Sequence, residues 1–117
     1  MDIPIKLPAK VKIGGHLYDV VFRPYLWLEE NRQGSHNAHI RRIEIDPAFK
    51  SNLAANIIHE ELHAINNVYL NDRLTEDDVT ALAEGIYQVF VDFGIRIIVG
   101  GFDGDEDIQG SLQEQEG

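Results

Sequence analysis

The sequence predicts an α+β domain in which a small antiparallel β-sheet packs against two antiparallel helices. Short runs of β-prone residues lie between positions 11 and 45. Two long apolar-periodic segments with helix start and stop signals fill positions 46 to 94. The chain has 117 residues and is 44% hydrophobic, which suits one core and leaves no room for two.

The first element is a hairpin. Val11-Lys12-Ile13 and His16 to Phe22 flank Gly14-Gly15, and two glycines supply the positive φ angles of a tight turn. Arg23-Pro24 ends the second strand. Tyr25 to Glu30 reads equally as a strand or a helical turn, and Asn31 to Asn37 as a polar loop around Gly34. Ala38 to Ile45 alternates through Ile40, Ile43 and Ile45 and reads as the third strand, with an irregularity at Arg41-Arg42.

Asp46-Pro47 then signals a helix, aspartate as N-cap and proline where its missing N–H costs nothing. That helix is expected to reach Tyr69. A second starts at Thr75, with Glu76, Asp77 and Asp78 at the positive end of its dipole, and stops at Phe93-Gly94. Ile95 to Val99 is a β-branched run suited to a last edge strand.

Twenty acidic residues oppose ten basic ones, a net charge of −10. This argues against nucleic-acid binding, which needs cations to displace counterions. Six of the acids and no base lie between Gly101 and Gly117, leaving −4 for positions 1–100. We therefore expect one domain over 1–100 and a disordered acidic tail over 101–117. The tail's Asp103 to Asp107 lacks the flanking helices of a calcium loop. There is no cysteine, so disulfides, thiol catalysis and Cys-ligated zinc are excluded. No apolar run approaches the ~18 residues of a membrane span, and the start carries no secretory pattern. A soluble, cytoplasmic protein is the expectation.

The chemistry lies in the first long helix. His59-Glu60-Glu61-Leu62-His63 is an HExxH motif. Histidines at i and i+4 lie one turn apart on one face, where two imidazoles can hold one Zn²⁺. The glutamate between them is placed to act as general base on a water at the metal. On a helical wheel Asn52, Asn56, His59, His63 and Asn66 form a narrow polar seam beside a wide apolar arc. Glu61 points into that arc, against expectation.

A catalytic zinc keeps three protein ligands and one open position. Glu84, on the second helix, is the best candidate for the third. A short loop between antiparallel helices can return it to His63, and Asp77 is the rival. Gln88, one turn after Glu84, is placed to orient it.

His59-Glu60-Glu61-Leu62-His63, followed after 20 residues by Glu84 in Leu82-Ala83-Glu84-Gly85, resembles a gluzincin-type metallopeptidase. In that group one helix carries HExxH and a second, glutamate-bearing helix carries the third ligand. The short chain is most similar to minimal single-domain forms, small phage or prophage proteins grouped near ImmA/IrrE-like peptidases, in which a hairpin and strand precede the HExxH helix. The resemblance spans Val11 to Phe93. It implies a zincin-like fold, zinc on His59, His63 and Glu84, Glu60 as base, and a protein or peptide substrate. The sequence departs from the large members in having Gln88 where they often have an acid, and in lacking a second lobe.

The implied reaction is zinc-assisted peptide hydrolysis. Glu60 takes a proton from the attacking water and passes it to the leaving amine. Tyr69, Tyr87, His36 and His39 are candidate donors to the oxyanion. An extended peptide can pair with the strand edge near Ala38 to Ile40. The alternative is a catalytically silent zinc-binding protein that regulates or binds a partner. It has no need of a base at Glu60.

Overall fold

The structure is a computed structural model that describes residues 1–101. The expected acidic tail, apart from Gly101, lies outside the described residues. The elements run β1 (Asp2–Lys6), β2 (Ala9–Ile13), β3 (His16–Phe22), α1 (Leu26–Glu30), β4 (Gly34–Asn37), β5 (Arg42–Ile45), α2 (Leu53–Leu70), α3 (Glu76–Asp92) and β6 (Arg96–Gly100).

The α+β class holds, but the sheet is not antiparallel. One sheet has the order β2-β3-β5-β4; a second is the pair β1-β6. β2-β3 and β4-β5 are antiparallel, whereas β3-β5 and β1-β6 are parallel. The cause is the segment between β3 and β5. It leaves at Arg23-Pro24, turns through α1, and returns as β4 on the far side of where β5 will lie. β5 then enters between β4 and β3, running with β3.

The β2-β3 hairpin matches expectation, with Gly14 at φ +59° and Gly15 at φ +82°. Gly14 must be glycine for a second reason: an added Cβ would collide with the side chain of Val68 on α2. The third strand is shorter than expected. Asn37 Oδ1 accepts from the amides of His39 (3.0 Å) and Ile40 (3.4 Å), making a side-chain-capped turn of Ala38 to Ile40. Arg41 sits in the left-handed region at φ +52°, the expected irregularity.

Asp46 is a cap, but for a different helix. Its Oδ2 accepts from the amide of Trp27 in α1 (2.9 Å) and its Oδ1 from Ala48 (2.9 Å). It is fully buried, fastening α1 to the end of β5. α2 therefore begins later, at Leu53, after a single 3-10 turn over Lys50–Asn52. α3 starts as its sequence requires. Thr75 and Asp78 form a reciprocal capping box, each side chain bonding the other's amide (3.1 and 3.0 Å).

The core lies between α2 and both sheets, with Leu7, Tyr18, Val20, Ile43, Ile45, Leu53, Ile57, Ala64 and Val99 among its members. β1 lies before the first element expected from the sequence, and it carries Pro4. Proline is tolerated there because β1 is an edge strand. No helix among the described residues is long and apolar enough to cross a membrane.

Candidate metal centre

The site is built where α2 passes β4 and the start of α3. Apolar residues Leu53, Ile57 and Ala64 seat one face of α2 on the sheet. The helical period then turns His59 and His63 toward a polar cavity of about 560 Å³. Arg32, Gln33, Gly34 and His36 form one wall and Asn56, His59, Glu60 and His63 the other; Glu76 closes the end. The two walls are tied by Asn56 Nδ2, which donates to Gln33 Oε1 (3.1 Å).

The two imidazoles converge. His59 Nε2 and His63 Nε2 are 3.2 Å apart. Glu76 spans them, with Oε1 2.9 Å from His59 Nε2 and Oε2 2.7 Å from His63 Nε2. Two ligands bound tetrahedrally at 2.0–2.1 Å are separated by about 3.3 Å. The nitrogen pair has that spacing. His59, Glu60 and His63 also form a group whose ligand atoms all lie within 4.8 Å of one another and that could hold a metal ion. Two nitrogens and carboxylate oxygen, with no sulfur, form a donor set that zinc accepts.

Glu60 is only 7% exposed. Burial, reinforced by the charge of Glu76 and opposed by Arg32, pushes its pKa up to about 7. Room for it comes from Gly34. A Cβ there would lie 2.9 Å from Glu60 Cγ and 3.2 Å from Ile45 Cδ1. The "polar loop around Gly34" of the sequence is thus a strand whose glycine admits the motif glutamate.

His36 adds a layer. Its ring lies between Tyr18 (centroids 5.8 Å, planes 24° apart) and His63 (6.5 Å, 6°). Its Nε2 is buried and, among the described residues, has no hydrogen-bond partner. Burial holds the pKa of both His36 and His63 below the usual imidazole value. Of the four candidate oxyanion donors, His36 alone lines this cavity; His39 is exposed, Tyr69 borders a cleft behind α2, and Tyr87 lies further along α3.

The structure brings Glu76, and not Glu84, to the two imidazoles. Glu84 lines a neighbouring cleft with Asn52, just before α2, with Ala55, Asn56 and His59 of α2, and with Thr80, Ala83 and Tyr87 of α3. It is therefore level with the first turn of α2. Asn66 explains the offset. Its carbonyl accepts from the amides of Asn71 and Asp72, and its side chain both donates to Leu74 O and accepts from Leu74 N, each at 3.1 Å. These bonds fold residues 71–75 back along the last turns of α2. α3 then starts beside His63, and Glu84, eight residues later, is about 12 Å further along the axis. Asp77, the rival ligand, does not line the cavity. Gln88 orients neither glutamate; its side chain donates to Asp92 (2.9 Å).

The signal for Glu76 was present in the sequence, at the first turn of the second helix. Asn66 was also visible, in the polar seam, but it is buried and serves the loop. Glu61 lies on the other side of α2, in a small cleft with Val11, Ile13, Ile65 and Tyr69, where burial raises its pKa. Comparisons with protein-family models, curated proteins and solved structures gave no match.

Proposed function

We propose that this protein is a zinc-dependent metallopeptidase of minimal gluzincin-like type, with His59, His63 and Glu76 as ligands and Glu60 as general base. The observation that supports this most is the convergence of two imidazole nitrogens and one carboxylate, at 2.7–3.2 Å, beside a buried glutamate in a polar cavity.

When bound, zinc would polarise a carbonyl and acidify a water at its open position. The chain's own residues supply the rest. Glu60 takes the proton of the attacking water and returns it to the leaving amine. Burial, reinforced by the charge of Glu76, gives it a pKa of about 7, suited to taking and returning a proton near neutral pH. His36, held flat between Tyr18 and His63, offers an imidazole in the cavity wall for the developing oxyanion. β4 ends its sheet, so its free edge beside the cavity can take an extended peptide. The tip at Ala38 to Ile40, the expected docking edge, is a turn.

The test is zinc content together with peptide cleavage. Native protein should hold about one zinc per chain, and Glu60→Gln should keep it while losing at least ~100-fold in cleavage rate. Zinc without cleavage, on a broad peptide library, would leave a zinc-binding regulatory protein. No zinc uptake would end both readings.

A further inference from the structure

α3 has a second face that the metal centre does not use. At 100° per residue, Val79, Ala83 and Glu76 turn toward α2, and Val79 and Ala83 are its only fully buried side chains. Leu82, Ile86, Val89 and Phe93 line an adjoining stripe. Leu82 is 46% exposed, Val89 48% and Phe93 77%. Between them Gly85 leaves a notch, for nothing lies within 4 Å of where its Cβ would be. Leu82, Gly85, Ile86 and Val89, with Ala81 and Phe90, form a shallow, almost wholly apolar groove of about 380 Å³, and Phe93 lies beyond its end. One such residue would be ordinary; a continuous stripe on a 17-residue helix is an interaction surface.

Charge identifies what covers it. α3 contains Glu76, Asp77, Asp78, Glu84 and Asp92 and no base. Asp78 and Asp92 flank the stripe at its two ends, about 21 Å apart along the axis. A second copy would bring the same acids against them. The chain's own residues 101–117 carry six acids and no base, so they are repelled equally. The complementary occupant has an apolar stripe of helical period and cations about four turns apart.

We infer that the outer face of α3 docks a basic amphipathic helix of another protein. The stripe supplies the apolar contact, and Asp78 and Asp92 set the register and reject acidic helices. This surface is separate from the metal centre and does not depend on the metallopeptidase reading.

The probe is a fluorescent Lys/Leu helical peptide of about 18 residues, the length of α3, with a Glu/Leu peptide of the same apolar pattern as counter-probe. Binding is followed by anisotropy on the full chain. The Lys/Leu peptide should bind at least tenfold more tightly than the Glu/Leu peptide. Leu82→Asp with Val89→Asp should weaken it at least tenfold, and Asp78→Asn with Asp92→Asn should remove most of the preference over Glu/Leu. Phe93→Ala, outside the helix proper, gives a milder loss and guards against misfolding of the double variant, which circular dichroism also checks. Equal binding of the two peptides, or unchanged binding by both Leu82→Asp/Val89→Asp and Phe93→Ala, would overturn the inference. So would sedimentation as a dimer that Leu82→Asp dissociates, since the occupant would then be a second copy.

Discussion

Glu76 and Glu84 occupy the same helix, and both line clefts against α2. Glu76 lies against both imidazoles; Glu84 lies two turns away, level with Asn52 and Ala55. Helical period turns them about 80° apart and sets them about 12 Å apart along the axis. Which of the two falls beside His63 is decided outside the helix, by the path of residues 71–75. A loop that merely links two helices would place their residues symmetrically about itself, bringing Glu84 back to His63. A loop pinned to Asn66 runs back along α2 first, and the first turn of α3 takes the position instead. Register between helices is a property of the connection.

The comparison is broken most directly by exchanging the two acids for alanine. Glu76→Ala should weaken zinc binding about 100-fold and Glu84→Ala less than about twofold, read by competition with a chromophoric chelator; loss of a ligand exceeds the 10–100-fold range of outer partners. The reverse order would make Glu84 the ligand and require the helices to slide.

Next in size is the pin itself. Asn66→Ala removes two side-chain bonds to Leu74 in a buried setting, and should cost about 2 kcal/mol in denaturant unfolding. It should also loosen zinc about tenfold, because Glu76 is no longer presented; outer partners of ligands have effects of that size. Unchanged zinc affinity with reduced stability would mean that the capping box alone positions Glu76.

The smallest effect is expected at Gly34. Gly34→Ala forces Glu60 or Ile45 to shift by a few tenths of an ångström. Cleavage should fall roughly fivefold to tenfold, since misplacement by 1 Å costs about 100-fold. Zinc content should stay unchanged, separating the base from the ligands.

Much of this molecule was legible in its residues. The Gly14-Gly15 hairpin, the HExxH helix, the Thr75 cap and the strand after Gly94 follow from local chemistry, because each depends on neighbours within a few positions. What the residues concealed was long-range. Asp46 looks like the cap of the helix after it, yet it caps α1, 19 residues earlier. β1 is a strand whose partner lies more than 90 residues away. The direction of β5 depends on which side of it β4 lies, and no periodicity reports that. At the candidate site, His59, Glu60 and His63 are legible from spacing; that Glu76 rather than Glu84 lies against the imidazoles depends on the bonds of Asn66 to Leu74, which its place in the polar seam does not report.

The parallel pair β1-β6 has a consequence for how the chain is made. Its partners, such as Ile3 and Ile97, come from opposite ends of the described fold. On a ribosome β1 emerges first and must wait, unpaired, until residues past Gly100 clear the tunnel. By contrast, every residue proposed to touch the ion lies between Arg32 and Glu76, and so do both walls of the cavity. The half of the chain that carries His59, His63 and Glu76 is therefore complete before its sheet can close. Zinc captured at that stage would hold α2 and the start of α3 together while the last strand is synthesised. Pulse-labelling of a stalled chain ending some 30 residues beyond Thr80, a tunnel's length of extended peptide, should find metal-dependent protease protection of α2 before β1 is protected.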